Sequence, residues 1–459
     1  MRTFDAIIIG SGQGGTPLSK KLAKAGWKTA LVEKDFIGGT CINNGCTPTK
    51  TMIASAKVAY TIANANALGI ITNGYSININ EVIARKRKVV NSFRNGSQQG
   101  VEKTENLTWL FGSASFIDKK KIQVQLKDGT TEIITADKIF LDVGNRPSVP
   151  SIPGLEQVSY LDSTSMMELT EIPSHLLIIG GGYVGLEFGQ MYRRFGSEVT
   201  ILEQGKRFLS REDEDIAEVV EDFLKKEGIR IVTNAQVTKV EKQSVKLQLT
   251  VRINDIDEII ECSHVLVAAG RTPNTDLLNL PATDIAINER GQVVVNEKLE
   301  TSVEGIYAIG DAKGGPEFTH ISYNDYIILT NNLLYNKAET TLGRMIPYCM
   351  FTDPQLGRIG ITETEARKKG LPIKVAKLPM EKVARAVETG DTRGVLKAVV
   401  DAETGKILGA AIVGEEGGEI MSVLQMAMAG GITYKTIADM IFAHPLYAES
   451  LNNLFLNLE

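Results

Sequence analysis

Two thiols stand close together in Gly38-Gly39-Thr40-Cys41-Ile42-Asn43-Asn44-Gly45-Cys46-Thr47-Pro48-Thr49-Lys50, near the amino end of the chain. Four residues separate them, near enough for an intramolecular disulfide once the backbone turns. The stretch from Thr47 through Tyr60 reads as helix, so Cys46 falls near a helix N-terminus. There the macrodipole and the free N–H groups favour thiolate over thiol. A thiolate serves disulfide exchange and metal binding alike. The plain alternative is a pair of buried small hydrophobes. A zinc site needs four ligands, and no third or fourth lies nearby in sequence. Cys262 and Cys349 sit in apolar, strand-like contexts and read as ordinary buried cysteines. His444, read alone, is an ordinary structural histidine near the C-terminus. His175 precedes a strand and His264 lies on one, and both read the same way.

The elements that must position these thiols are Gly-rich turns between strands and helices. Phe4 to Ile9 is a short apolar strand, followed at once by Gly10-Ser11-Gly12-Gln13-Gly14-Gly15, a helical stretch through Ala25, and a second strand from Lys28 ending at Glu33. This is a G-x-G-x-x-G turn in a βαβ frame, whose glycines let backbone N–H groups approach a pyrophosphate while the acid receives an adenosine ribose. The frame recurs: a strand from Leu176 to Ile179, the turn Gly180-Gly181-Gly182-Tyr183-Val184-Gly185, and a strand from Val199 that ends at Glu203. Gly10 stands as far from Glu33 as Gly180 does from Glu203. A second echo links Ile139-Phe140-Leu141-Asp142-Val143-Gly144-Asn145-Arg146-Pro147 with Val265-Leu266-Val267-Ala268-Ala269-Gly270-Arg271-Thr272-Pro273. Gly305 to Asp311, a strand ending in Gly310-Asp311, marks a return to the first frame, where the Asp can meet a cofactor polyol.

At about 150 residues per domain, 459 residues allow about three domains. The balance of 43% hydrophobic and 23% charged residues is that of a globular chain. A net charge of −5 leaves no basic excess for phosphates, which argues against a nucleic-acid partner. No apolar run approaches the ~20 residues of a membrane span, and the first ten residues read as a strand rather than a signal peptide. Four cysteines do not make a disulfide scaffold, so a cytoplasmic setting is expected. After the return segment, strands from Val395 to Val400 and Ile407 to Val413 precede helical patterns over Glu419 to Ala429 and Thr436 to Ile441, an α+β arrangement with no G-x-G-x-x-G turn of its own.

The cysteine string behind a G-x-G-x-x-G turn resembles the class I pyridine nucleotide–disulfide oxidoreductases, the family of glutathione reductase, lipoamide dehydrogenase and mercuric reductase, over essentially the whole chain. The resemblance implies an α/β fold of two Rossmann-like dinucleotide-binding domains, the second inserted in the first, and a C-terminal α+β dimerisation domain. The boundaries expected are 1–150 for the first part of the FAD domain, 151–273 for the NAD(P) domain, 274–340 for the FAD return segment and 341–459 for dimerisation. It implies a homodimer with its active site shared across subunits. Cys46 is then the thiol that contacts the flavin and Cys41 the interchange thiol. Lys50 pairs near the flavin with Glu187, and Tyr183 is the aromatic lid over the nicotinamide pocket. His444-Pro445-Leu446-Tyr447-Ala448-Glu449 matches the H-P-x-x-x-E element, in which His444 is acid–base toward the other subunit's interchange thiol and Glu449 orients it.

FAD is expected against Gly10, Gly12, Gly14, Gly15, Glu33, Lys34, Gly39, Thr40, Gly45, Lys50, Ala114, Gly144, Arg146, Gly310, Asp311, Phe318, Thr319 and His320. Phe318-Thr319-His320 opens a helix whose N-terminus faces the flavin. The nicotinamide nucleotide is expected against Gly180, Gly182, Tyr183, Val184, Gly185, Glu187, Glu203 and Gly270, and no resident metal is expected. Glu203 favours NADH by repelling a 2′-phosphate, while Lys206 and Arg207 close behind it work for NADPH.

The segments Gly314–Tyr326, Asp391–Lys397 and Glu449–Phe455 look like a mercuric-reductase-related branch that includes the reactive-chlorine-response, copper(II)-associated reductase. The expected activity is therefore electron transfer from NAD(P)H through FAD to the Cys41–Cys46 disulfide and on to a disulfide or a soft metal ion such as Cu(II) or Hg(II). One alternative is the dihydrolipoamide dehydrogenase of a 2-oxoacid dehydrogenase complex, although Phe442 stands where such enzymes usually have a second His. The other is a non-catalytic flavoprotein redox sensor, which has no use for a His444–Glu449 dyad.

Overall fold

The computed structural model describes residues 1–244 and 246–458. They form two compact units, Met1–Thr51 with Glu81–Ser148 and Gly270–Arg344, and Met52–Asn80 with Val149–Ala269 and Met345–Glu459. The fold is two Rossmann-like domains, the second inserted in the first, with a C-terminal α+β domain.

In the first unit Ala6, Ile7 and Ile8 are fully buried on consecutive positions, the pattern of an interior parallel strand covered on both faces. That strand, Arg2–Ile9, pairs in parallel with Thr29–Glu33 on one side and Thr131–Leu141 on the other, Ile7 standing opposite Ala30 and Ile139. Leu107–Asp118 and Ile306–Ala308 extend the parallel set outward. Lys121–Leu126 runs antiparallel between the far halves of Leu107–Asp118 and Thr131–Leu141. On one face, Leu18 and Leu22 of the helix Gly15–Lys24 and Ile328 and Leu329 of the helix Thr319–Tyr335 pack on Ala6, Ile8, Leu31 and Phe140. On the other, Phe116, Ile122 and Val124 cover Phe4, Ile7 and Val32. The two echoing segments meet each other, since Asn145–Pro147 and Arg271–Pro273 form an antiparallel ribbon where the chain leaves the unit and returns.

In the second unit four parallel strands lie in the order His264–Val267, His175–Ile179, Glu198–Leu202, Ile229–Val232. A three-stranded antiparallel sheet of Ala235–Gln243, Lys246–Ile253 and Ile256–Cys262 accompanies them. The C-terminal sheet is antiparallel, in the order Tyr348–Met350, Gln355–Gly360, Ile407–Gly414, Val395–Asp401, Ile373–Pro379. Its core of Leu396, Ala398 and Ile412 is closed by Leu424, Leu451 and Phe455 from the helices Gly417–Ala429 and Ser450–Leu456. Arg194, on the helix Tyr183–Phe195, is buried between Glu227 and Asp353 at 2.8 and 2.7 Å and ties the four-stranded parallel domain to that sheet. Among the described residues no helix is long and apolar enough to cross a membrane.

Two expectations are corrected. The helix expected over Thr436 to Ile441 runs over Tyr434–Ala438. Thr433 starts it early by accepting the Thr436 N–H, and Asn452 ends it by donating its side-chain amide to the carbonyls of Ile437, Ala438 and Met440, which leaves Ile441 98% exposed. Cys262 is buried as expected, but Cys349 on Tyr348–Met350 is only partly so.

Both glycine turns open on a left-handed residue, Gly10 at φ +100° and Gly180 at φ +114°, and a Cβ there would stand 2.2 Å from the Asp142 carbonyl oxygen or 2.4 Å from that of Ala268. Gly26, at φ +92°, has nothing within 4 Å of the same position. Gly26→Ala therefore costs only the backbone term, about 1–2 kcal/mol. Gly10→Ala must also move a strand, and is expected to cost roughly 2–4 kcal/mol. Thermal unfolding of the two variants side by side measures the difference, and equal losses would show that the strand yields.

Candidate active site

The cysteine turn is built against the first glycine turn. Gly39, at φ +61°, would bring a Cβ to 2.7 Å from the Gly12 Cα, so only glycine allows the two backbones to touch. Ser11 joins them: its carbonyl accepts the Gly38 N–H at 3.1 Å, while Gln13 Nε2 donates to the Gly38 carbonyl at 3.1 Å. Inside the turn, Asn43 Nδ2 donates to the carbonyls of Phe36, Ile37 and Gly39 at 3.2, 3.1 and 2.9 Å. Arg94 holds Asn43 from outside, its Nε 2.7 Å from Oδ1 and its guanidinium 3.7 Å over the Phe36 ring.

Cys41 lies in the short helix Gly39–Asn43, and Cys46 is the first residue of the helix Cys46–Ala63. Cys46 Sγ is 3.5 Å from Oγ1 of Thr319, itself the first residue of Thr319–Tyr335, so two helix N-termini converge on one sulfur. The hydrogen bond to Cys46, then burial, push the Cys41 thiol well above its ordinary range, with the Thr319 hydroxyl and the Lys50 charge pulling the other way. Cys41 thus keeps its proton, directed at Cys46. The ring of His320 stacks on Phe318 at 5.3 Å, beside Thr319.

The matched acids do matched work. Glu33 Oε2 accepts the Ser11 N–H and hydroxyl at 2.9 and 2.6 Å, and Oε1 accepts the Asp35 N–H at 2.8 Å. Glu203 accepts the Gly181 N–H at 3.0 Å and the Gly205 N–H at 2.6 Å. At the carboxyl ends of the strands, where α/β sheets receive ligands, Gly144, Gly182 and Gly270 face open space, since a Cβ on any of them would meet nothing within 4 Å. Each glycine turn thus leaves open space near a carboxylate pinned across its loop, an arrangement that could admit a dinucleotide.

Other expected residues stand as follows. Lys34 is exposed, and Ala114 lies opposite Val124 against the first unit's core. Arg146 sits on the ribbon with its guanidinium on Asp276 at 2.7 and 2.9 Å. Burial raises the carboxyl of Asp311, against the Arg271 and Lys313 charges. Lys50 belongs to the first unit and Glu187 to the second, where Glu187 accepts the Phe351 N–H at 2.9 Å. His444 Nδ1 is 2.9 Å from Glu449 Oε2; a carboxylate only accepts, so Nδ1 carries the hydrogen and Nε2 is left for chemistry, on a side chain 66% exposed.

Several residues escape the sequence reading. Asp142 is buried, its Oδ2 taking the Gly15 N–H at 2.7 Å, and burial pushes it well above the usual carboxylate range. Its signal lay in the echo itself, where the second copy has Ala268. Asp325, completely buried, accepts the Gly310 N–H at 2.9 Å between Lys313 and Arg344 and so fixes the turn that carries Asp311. Glu212 accepts from the phenols of both Tyr183 and Tyr348, a meeting without local signal.

A family model described as pyridine nucleotide-disulphide oxidoreductase matches residues 4–325, and one described as that family's dimerisation domain matches 346–455. The chain is 39% identical over 459 residues to the probable pyridine nucleotide-disulfide oxidoreductase RclA of Escherichia coli strain K12, covering 99% of each. It is 35% identical over 449 residues to a mercuric reductase of Staphylococcus aureus, covering 98% of this chain and 81% of that one. A solved structure described as the Cu(II) complex of the HOCl-induced flavoprotein disulfide reductase RclA from Escherichia coli superposes with a TM-score of 0.92 at 38% identity, covering all of both chains.

Thr319→Val removes the hydroxyl that favours ionisation of the pair. Alkylation of the reduced dithiol is expected to shift to higher pH and to slow roughly tenfold near neutrality. Mass spectrometry after iodoacetamide treatment across pH reads the shift, and an unchanged profile would uncouple the hydroxyl from the thiols.

Proposed function

The chain belongs to the pyridine nucleotide–disulphide oxidoreductase family, and from that premise we propose that it passes two electrons from NADH to the Cys41–Cys46 disulfide and on to a disulfide or a soft metal ion such as Cu(II) or Hg(II). It is a flavin-dependent enzyme that uses FAD and a pyridine nucleotide, and it carries the family's dimerisation domain. FAD would be held at the first glycine turn, by Glu33 and Asp311 among others, and the nicotinamide nucleotide at the second, by Glu203. The domain boundaries follow at 150, 273 and 340, the enzyme is a cytoplasmic homodimer, and its active site is shared across subunits. Bound FAD supplies the two-electron chemistry that connects a hydride donor to a disulfide.

The observation that carries this reading is the placing of Cys46 at two helix N-termini with Cys41 hydrogen-bonded to it. NADH and one proton reduce the disulfide to the dithiol and leave NAD⁺. The Cys41 sulfur, giving its proton to Nε2 of the partner subunit's His444, attacks an acceptor disulfide and forms a mixed disulfide. The leaving thiolate takes that proton back. Cys46 then displaces the second thiol from Cys41 and restores the original bond. With metals, the dithiol gives one electron to each of two Cu(II) ions, or two to one Hg(II), and releases two protons as the disulfide re-forms. The mercuric reductase and the Cu(II) complex among the relatives support the soft-metal branch.

Preference for NADH rests on Glu203, whose charge is pinned to two N–H groups. Arg207 is committed elsewhere, donating to the carbonyls of Ser210 and Glu212 at 2.6 and 3.0 Å. That bonding draws Arg207 away from a 2′-phosphate and weakens the case for NADPH.

Anaerobic NADH consumption with Cu(II), Hg(II), oxidised glutathione and lipoamide tests the acceptor. In Cys46→Ser, which stays yellow, NADH is expected to expose no new thiols to a titrant, and turnover falls about a hundredfold or more. Retained turnover would overturn the thiol relay. The ratio of kcat/KM for NADH over NADPH is expected at roughly ten or above and shrinks in Glu203→Ala; a parent enzyme that prefers NADPH would reverse the assignment.

A further inference from the structure

Tyr183 is the first residue of the helix Tyr183–Phe195, directly after the second glycine turn, and its side chain is only half-buried. Its hydroxyl donates to Glu212 Oε1 at 3.3 Å, and the hydroxyl of Tyr348 donates to the same oxygen. The two rings lie 5.5 Å apart, tilted by 32°. Glu212 is 2% exposed, and its other oxygen, Oε2, receives no hydrogen bond from the described residues. The cation facing it, Arg358, stands with Nε at 3.4 Å and spends Nη1 on the carbonyls of Ile359 and Ala410. A dry carboxylate so thinly compensated leans on its two phenol donors. Burial and that charge push both phenols up, so each remains a donor across the working pH range. Glu212 is itself held in place, its carbonyl accepting from Arg207 and its N–H donating to Leu209. The segment from Glu203 to Glu212 therefore carries the acid for the adenosine end of the nucleotide and a contact for its nicotinamide end.

We infer, on the reading of Tyr183 as the nicotinamide lid, that Glu212 is the latch of that lid and Tyr348 its counterweight, two positioning residues that set how readily the nicotinamide enters. To admit the ring, Tyr183 swings away from Glu212 and gives up a charge-assisted hydrogen bond. Tyr348 stays behind and keeps the carboxylate bonded, which lowers the cost of the swing. The two partners therefore act in opposite senses. A neutral amide at 212 holds the lid more weakly. Loss of the Tyr348 hydroxyl also removes its neutral contact with the Tyr183 phenol, but it leaves the Glu212 charge on one phenol and so tightens the stronger, charge-assisted hold on Tyr183.

The test is calorimetric titration of the oxidised, FAD-loaded enzyme with NAD⁺ and with ADP-ribose, which lacks the nicotinamide. Glu212→Gln is expected to tighten NAD⁺ and Tyr348→Phe to weaken it, each by about fivefold to tenfold, with ADP-ribose unchanged in both. A residue that merely supports the fold would shift both ligands, and in one direction. Changes of the same sign, parallel changes in ADP-ribose, or no change in either variant would overturn the latch. Tyr183→Ala separates the lid from the latch. If it alters NAD⁺ relative to ADP-ribose while the other two variants do not, the lid stands and the latch falls. If it alters neither, the lid reading falls and takes the latch with it. Because Tyr348→Phe leaves the Glu212–Arg358 pair intact, the sign test survives even if Glu212→Gln folds poorly.

Discussion

The redox chemistry of the first unit depends on one backbone contact, that of Gly39 with Gly12. Any side chain at Gly39 would part the cysteine turn from the first glycine turn. The contact is held from both sides. Glu33, at the end of its strand, bonds Ser11, and Ser11 bonds Gly38. On the outer side Asn43 spans the turn and Arg94 braces Asn43. An acid that looks like a ribose ligand in sequence is therefore also a structural post, carrying order from the sheet to the sulfurs.

The two glycine turns share their bonding, and their differences lie in the side chains around them. Glu33 and Glu203 grip their own loops in the same way. Asp142 places a buried carboxyl in the first turn where Ala268 gives the second turn a methyl group. The second turn instead gains Tyr183 and its connection to Glu212. The first turn thus has an internal polar group and the second an aromatic ring beside it.

Most of the fold was legible because it follows from local rules. Alternating strand and helix patterns with glycine turns at strand ends specify parallel βαβ units, and the consecutive buried positions Ala6, Ile7 and Ile8 mark an interior strand. The end of the helix after Thr433 was not legible, because Asn452 terminates it from another helix. The ribbon Asn145–Pro147 with Arg271–Pro273 could be seen as an echo but not as a pair, since pairing joins segments separated by the whole inserted domain.

What the sequence determined by itself is the kind of chemistry: two cysteines at a helix start, two glycine turns with their acids, and a His with its Glu. Each is set by short spacing and by backbone conformations that only certain residues adopt. What only the tertiary structure decided is which distant groups meet. Thr319 reaches Cys46 across 273 positions, Asp325 fixes the Asp311 turn, and Tyr348 shares a carboxylate oxygen with Tyr183. Such meetings depend on how strands and helices pack, and a side chain's usefulness there is invisible until its partner arrives from elsewhere in the chain.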